Sequence, residues 1–213
     1  AFANYTFEDI NWIYGPKEVK IGDIAEIEIP SDSIFVPKEE MLKYCELSKQ
    51  IFDPSRMGVL ITDQYEINFS FAPIGYVEDD EKDELNSSKI LKSIKEATRE
   101  NNEILIERGW HSSCIDADSL EWFIKPNYND ITYNLEWCVG NDLFLNHQIR
   151  YLGRKGVMAV TVVMDPQDYY AAINNSSLAL DTFNFGIGNR YADWVKGDKV
   201  AKIGLTGLIV GGA

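Results

Sequence analysis

The sequence predicts an α+β fold in which a mostly antiparallel β-sheet is flanked by helices. The first observation is that residues 120–164 form consecutive strand patterns joined by short turns. The second is a period-two alternation inside this run, whose apolar face contains Tyr133, Leu135, Trp137 and Val139. The third is a helical pattern on each side of the run, at residues 87–108 and 165–182. These helices can cover the sheet, so we expect them to pack on it and Trp137 to be buried.

Within this central run we predict strands at residues 120–125, 132–139 and 145–164. Residues 126–130 and 140–142 have turn composition. The third strand is interrupted at residues 153–156, where two glycines indicate a bulge or a tight turn. We expect this turn to present Arg154 either to solvent or toward the acidic block at residues 78–84.

The N-terminal part of the chain contains shorter patterns. We predict one or two strands at residues 19–29, a strand at 34–36, a helix at 37–50, and a hairpin of strands 57–62 and 66–72. After the second long helix, residues 183–191 form an aromatic segment broken by glycines.

The helix at residues 87–108 has one polar member on its apolar side, Asn101. We expect this amide to bond sheet or loop backbone, because an unpartnered buried amide is costly. The acids at residues 78–84 do not fit a calcium loop of the helix-loop-helix type. A loop starting at Asp79 would place Glu84 at position six and Ile90 at position twelve, where glycine and glutamate are required. The acids instead favour the dipole of the following helix.

Composition limits the classes of partner. The chain has 213 residues, a hydrophobic fraction of 45% and a charged fraction of 25%, typical of a soluble globular protein. We expect residues 1–213 to form a single domain, with residues 200–213 leading toward a membrane anchor. A formal net charge of −14 argues against nucleic acid as a partner. We expect no metal, because the chain has only two histidines and its three cysteines lack paired spacing.

Sequence motifs of catalysis are not found. The chain has no nucleophile elbow, phosphate loop, dinucleotide fingerprint or zinc-protease motif, so we expect no cofactor. His111 precedes Ser112, Ser113 and Cys114, but adjacency in sequence is weak support for a catalytic dyad. Pairs such as Asp79 with Glu121 or Glu136 could serve a glycosidase, although any acidic protein offers such pairs.

A set of aromatic, glycine and charged residues spreads over nearly all of the chain. It comprises Trp12, Gly15-Pro16, Gly75-Tyr76-Val77, Asp79-Asp80, Asn101-Asn102, Trp122, Pro126-Asn127-Tyr128, Leu135-Glu136-Trp137, Asn146, residues 152–158, Phe185, Gly188, Arg190-Tyr191-Ala192-Asp193, residues 198–201 and Gly204-Leu205. With this set the sequence resembles a bacterial family of predicted membrane-anchored proteins that contain a domain of unknown function. The sequence departs from the family at Ile203, where such proteins tend to carry an aromatic residue. The predicted sheet and helices are also similar to the Mog1/PsbP-like α/β/α sandwich.

The resemblance implies an extracytoplasmic domain, at the periplasmic or cell-surface side of the membrane, with a membrane helix after residue 213. It implies no reaction. The motif residues that we expect to bind a protein or small-molecule ligand are Tyr76, Asp79, Asp80, Asn101, Tyr128, Arg154, Arg190, Tyr191 and Asp193.

Two hypotheses about function follow. The first is a non-catalytic module that binds a ligand or protein partner beside the membrane. The second is a hydrolase whose cleft contains Asp79, Asp80, His111 and Arg154. Convergence of titratable groups with an anion-binding donor would favour the hydrolase, whereas motif residues satisfied by local bonds would favour the module.

The C-terminal residues allow two interpretations. Residues 190–199 precede an apolar run at 203–210 and place aromatic residues beside cations, which suits a membrane interface. On this interpretation the apolar run continues into a membrane helix. The alternative is a last amphipathic helix at residues 200–210 that packs on the domain.

Overall fold

The computed structural model describes residues 5–210 and contains a large antiparallel sheet of eight strands. The spatial order of the strands is β1-β4-β5-β6-β10-β9-β8-β7. Their bounds are β1 Ile13–Tyr14, β4 Ile34–Pro37, β5 Arg56–Ile61, β6 Tyr65–Ala72, β7 Glu121–Asn129, β8 Asn134–Gly140, β9 Leu145–Leu152 and β10 Val157–Met164. A second, three-stranded sheet contains β2 Lys17–Ile21, β3 Ala25–Ile29 and β11 Asn184–Phe185.

Within residues 5–210, four α-helices accompany the sheets. They are α1 Met41–Leu47, α2 Ser87–Glu107, α3 Tyr169–Leu180 and α4 Leu205–Val210. The start of α2 is fixed by Asn86, whose side-chain oxygen accepts a hydrogen bond from the Lys89 amide at 3.0 Å.

One face of the large sheet is mostly apolar, and its central strands are buried. Along β6, Tyr65, Ile67, Phe69 and Phe71 are buried on this face, as the period-two pattern predicts. The second sheet and α3 pack against it and complete the largest hydrophobic core.

The opposite face is covered by helices at its two ends. Helix α1 packs over β4 and β5, while α2 and α4 pack around Leu135 and Trp137 of β8. Between them a row of directly paired residues crosses the sheet: Asn68, Thr161, Gln148 and Trp137. Helices therefore lie on both faces, and the predicted α+β fold with a mostly antiparallel sheet is confirmed.

The run of antiparallel strands predicted at residues 120–164 is confirmed, but two of its turns differ from the prediction. Trp137 is buried, with 2% of its surface exposed. The break at residues 153–156 reverses the chain, so that β9 and β10 form a hairpin rather than one interrupted strand. Strand β7 continues through Pro126 to Asn129, because β7 is an edge strand and proline is tolerated there.

The strands predicted at residues 19–29 form as β2 and β3, and they join β11 in the second sheet, a pairing between residues far apart in sequence. Two other sequence predictions need correction. The expected helix at 37–50 is shorter, with α1 starting at Met41. Asn101 is exposed, and the expected bonds to a loop are made by its neighbour. The Asn102 side chain donates to the Ile115 carbonyl at 2.6 Å and accepts from the Ile115 amide at 3.0 Å.

The C-terminal helix α4 packs on the fold. Its residues Leu205, Leu208 and Ile209 are buried in the same cluster as Trp137, as the amphipathic interpretation expected. In the described part of the chain, no helix combines the length and the apolar character needed to cross a membrane.

Candidate functional site

Many of the motif residues meet at one place, which we call the motif junction: residues 75–79, Tyr128, residues 153–156 and residues 188–201. Backbone hydrogen bonds join its segments. The Tyr76 amide donates to the Lys199 carbonyl at 2.9 Å, and the Tyr76 carbonyl accepts from the Ala201 amide at 2.7 Å. The Arg154 amide donates to the Asn189 carbonyl at 2.8 Å. The junction therefore connects the β9–β10 turn to the C-terminal loops.

Two tyrosine hydroxyls are satisfied inside the junction. The Tyr128 hydroxyl donates to Oδ2 of Asp79 at 3.0 Å, and the Tyr191 hydroxyl donates to the Val77 carbonyl at 2.9 Å. Burial raises the pKa of both phenols, and the bond to Asp79 raises the pKa of Tyr128 further. Both tyrosines are thus protonated donors near neutral pH.

The partner of Arg154 is Asp198, so of the two expected environments the acidic block at residues 78–84 is not the one observed. Arg154 Nε and Nη2 donate to the two Asp198 oxygens at 2.6 and 2.9 Å. This bidentate pair, together with the Val195 amide, lowers the pKa of Asp198 to about 2. The pair connects the hairpin turn to the loop before α4.

Arg190 and Asp193 form a second bidentate pair, with N–O distances of 3.0 and 2.9 Å. Asp193 also accepts from the backbone amides of Gly188 and Arg190 at 2.9 and 3.1 Å. The Arg190 hydrogen bonds and these amides lower the pKa of Asp193. This carboxylate is satisfied within its own loop and fixes the loop's shape.

The Tyr191 ring separates the junction from a cavity. One neighbour is Tyr76, whose ring centroid lies 4.4 Å away in a stacked arrangement. Another is Tyr133, whose centroid lies 4.5 Å away. Tyr133 has a φ of 53°, a left-handed conformation that is costly for a bulky residue and is found at functional sites more often than elsewhere.

We call the space beyond Tyr133 the aromatic cavity; its volume is about 520 Å³. It lies between the β7–β8 turn, the adjoining ends of β8 and β9, the end of α3, and β11. The aromatic residues that line it are Tyr133, Tyr151, Phe183, Phe185 and Tyr191. The polar residues are Asn129, Thr132, Asn134, Asp181, Asn184 and Arg190.

The aromatic wall is held by ring contacts. Tyr151 and Phe183 stack with centroids 4.6 Å apart, and Phe185 meets Phe183 edge-on at 5.3 Å. Burial raises the pKa of Tyr151, so its hydroxyl is protonated. Tyr151 and Phe185 remain partly exposed and line the cavity.

The polar rim retains open hydrogen-bonding groups. The Asn134 side-chain oxygen accepts from Thr132, and the Asn184 side-chain nitrogen donates to the Thr182 carbonyl at 2.9 Å. Within residues 5–210 the Asn134 side-chain nitrogen, the Asn184 side-chain oxygen and the Asp181 carboxylate have no hydrogen-bond partner. The rim therefore offers a donor and several acceptors to a ligand.

Sequence reasoning found only part of this cavity. It named Arg190 and Tyr191 and noted the aromatic character of residues 183–191. It missed Tyr133, Asn134 and Asp181, which come from distant segments. The turn composition before β8 was visible, but nothing in the sequence placed it beside the end of α3.

Other predicted site residues lie elsewhere. Asp80 is exposed, and His111 is exposed in a 3₁₀ turn after α2. Asn101 lines a different cavity of about 280 Å³ between α2, α4 and strands β8 and β9. Glu136 does not pair with Asp79, because its Oε1 lies 2.6 Å from Nε2 of His147.

No group of three or more His, Cys, Asp or Glu side chains suited to a metal ion occurs among the residues that the structure describes. Its three cysteines are free thiols. Burial raises the pKa of Cys138 to about 12, consistent with a small core residue rather than a nucleophile.

Residues 13–213 match the family described as "Protein of unknown function (DUF2167)", and the chain belongs to this family. The match confirms the predicted family of unknown function. No curated protein sequence matches the chain. Among solved structures the chain is similar to the solution structure of cyanobacterial PsbP (CyanoP) from Synechocystis sp. PCC 6803, with 10% identity and a TM-score of 0.45. That similarity covers 87% of this chain and 98% of the cyanobacterial protein.

Proposed function

We propose that this chain is a non-catalytic binding module whose ligand lies in the aromatic cavity. The observation that carries the proposal is a cavity of about 520 Å³ with aromatic walls and a polar rim. Ligand sites typically have volumes of roughly 300–1,000 Å³, apolar walls and a few polar groups that fix orientation. The aromatic cavity has this character, and Arg190, Tyr191 and Ala192 of the motif junction form part of its lining.

The positions of the four hydrolase candidates favour binding over catalysis. Asp79 is bonded to Tyr128, and Arg154 is paired with Asp198. Across residues 5–210, no hydrogen bond or ion pair joins any two of Asp79, Asp80, His111 and Arg154. A hydrolytic site needs its base, nucleophile and anion-binding donor within mutual reach.

The proposal includes a single extracytoplasmic domain with a membrane anchor beyond residue 213. Its support is the family resemblance and the exposed surface before α4. There Trp194 and Val195 are 38% and 52% exposed and are followed by Lys196 and Lys199. An aromatic residue among cations is typical of the region where a domain meets lipid headgroups.

The binding proposal is tested by blocking the cavity. Isotope-labelled protein is screened by NMR against neutral sugars, amino acids, carboxylates, phosphates and quaternary ammonium compounds. We expect at least one class to shift the amides of Asn134, Tyr151 and Phe185 in a saturable manner. Ala192→Trp, which fills the cavity from an exposed position on its lining, should abolish these shifts.

The matched control is Ala171→Trp, an exposed alanine on α3 outside the cavity. It should bind as wild type does. Saturable binding that persists unchanged in Ala192→Trp would place the ligand elsewhere and overturn the proposed site.

The location is tested with the full-length gene product in fractionated cells. An integral-membrane signal with the domain open to external protease supports the anchor. Recovery in the soluble cytoplasmic fraction refutes it.

A further inference from the structure

We propose that the aromatic cavity takes a neutral sugar ring, as one unit of a glycan. This inference rests on the proposed binding function and names the chemical class of the ligand. It is drawn from the wall, the rim and the charge of the cavity.

The wall offers flat apolar surface. A pyranose ring has a face of C–H groups, and such faces pack on aromatic rings because both surfaces are flat and weakly hydrated. Tyr151 and Phe185 line the cavity as partly exposed rings, and each is braced by the ring of Phe183, which lines the same cavity. Bracing reduces the side-chain entropy that binding would otherwise remove.

The rim offers donors and acceptors together. Each sugar hydroxyl can donate one hydrogen bond and accept two, so neighbouring hydroxyls are satisfied best by mixed groups. The Asn134 side-chain nitrogen supplies a donor, while the Asn184 side-chain oxygen and the Asp181 carboxylate supply acceptors. A binder of simple anions would present donors alone.

The charge of the cavity favours a neutral ligand over an anion. The Arg190 guanidinium is already neutralised by its bidentate pair with Asp193. Asp181 is the charged side chain of the lining that has no ion-pair partner within residues 5–210, and it repels carboxylates and phosphates. A quaternary ammonium ligand would use the aromatic rings and Asp181 but would leave the amides of Asn134 and Asn184 unused.

The position of Asp181 supports a role in binding. Asp181 caps the C-terminal end of α3, where the helix dipole disfavours negative charge. Its carboxylate is therefore not placed for stability of the helix. A hydroxyl group of a ligand at this point can donate a hydrogen bond to this exposed carboxylate.

The experiment titrates isotope-labelled protein with chitotetraose, cellotetraose and maltotetraose, and separately with choline. We expect at least one tetrasaccharide to bind saturably at the cavity, with saturation transfer strongest at the sugar C–H protons. Asn134→Ala and Asp181→Asn should each weaken its binding about tenfold, corresponding to about 1.4 kcal/mol. The controls are Asn174→Ala, at an exposed position in the middle of α3, and Asp165→Asn, at an exposed position before α3. Both positions lie outside the cavity, and both variants should bind as wild type does.

The outcomes separate the two proposals. If choline or another ligand class binds in the cavity while the tetrasaccharides do not, the sugar inference is wrong and the binding function stands. If no class of ligand binds there, both are wrong. If a tetrasaccharide binds the Asn134 and Asp181 variants as tightly as it binds wild type, the assignment of these rim residues to the ligand is wrong.

Discussion

The motif junction and the aromatic cavity share the Tyr191 ring but differ in how their polar groups are satisfied. In the junction, Asp79, Asp198 and Asp193 each have an internal partner at 3.0 Å or less. Around the cavity, the Asp181 carboxylate has none among residues 5–210. Satisfied polar groups rigidify a fold, whereas open groups beside an aromatic wall are available to a ligand. These three motif carboxylates are therefore held by bonds inside the fold, whereas the binding function that we propose rests on the open groups around the cavity.

The largest expected effect tests the core beneath the junction. Trp137 is buried in the cluster that also contains Val77 and Tyr191. We expect Trp137→Ala to lower the free energy of unfolding by ~3–5 kcal/mol, because the change leaves a cavity in a packed core. Chemical denaturation measures it. Leu143→Ala, at a residue 80% exposed, is the control and should change stability by no more than about 0.5 kcal/mol.

The next effect tests the shared ring. Tyr191→Phe keeps the ring stack but removes the donor to the buried Val77 carbonyl. We expect a loss of ~1–3 kcal/mol in the free energy of unfolding, because the acceptor loses its partner. Tyr170→Phe, at a residue 81% exposed, should have almost no effect. Equal stability of the two variants would mean that the junction is not held by this bond.

The third expected effect is a change in how stability falls at acidic pH. The pair with Arg154 lowers the pKa of Asp198 from 3.8 to about 2. A carboxylate whose pKa falls on folding contributes stability above its unfolded pKa and loses that contribution as the pH falls through the folded value. Between about pH 4 and about pH 2, the melting temperature of Asp198→Asn should therefore fall less steeply than that of wild type.

Two further variants test the role of this ion pair. Arg154→Lys should lower the melting temperature near neutral pH, because lysine cannot supply the bidentate contact that Asp198 receives. Asp80→Asn, at an exposed carboxylate, should leave the acid profile as it is in wild type. Parallel profiles for wild type and Asp198→Asn would contradict the assigned role of the pair.

The smallest expected effect is a gain in stability rather than a loss, and it comes from a substitution in the lining of the aromatic cavity. Asp181→Asn removes a negative charge from the C-terminal end of α3, so we expect stability to rise by about 0.3–1 kcal/mol while ligand affinity falls. Asp165→Asn, at the N-cap of the preceding turn, should instead lower stability slightly. Thermal denaturation of both variants measures the difference. A loss of stability in Asp181→Asn would assign that residue to the frame.

The sequence by itself determined the local elements. Alternation along β8 predicted Trp137 in the core, and amphipathic periodicity predicted α2. These predictions hold because side-chain direction in a strand or helix depends on neighbours within a few residues. The prediction for residues 120–164 was wrong at two turns. Pro126 lies within the edge strand β7 instead of ending it, and residues 153–156 reverse the chain instead of interrupting one strand.

Tertiary structure alone decided which segments meet. The pairing of β3 with β11 joins residues about 160 apart, by the register of Ala25 with Phe185. The choice of Asp198 over Asp79 as the partner of Arg154 likewise depends on where the C-terminal loop returns. The aromatic cavity likewise combines four chain segments, at residues 129–134, 151–152, 180–185 and 190–192. No local pattern encodes these meetings, because they follow from the packing of whole elements whose order in space differs from their order in the chain.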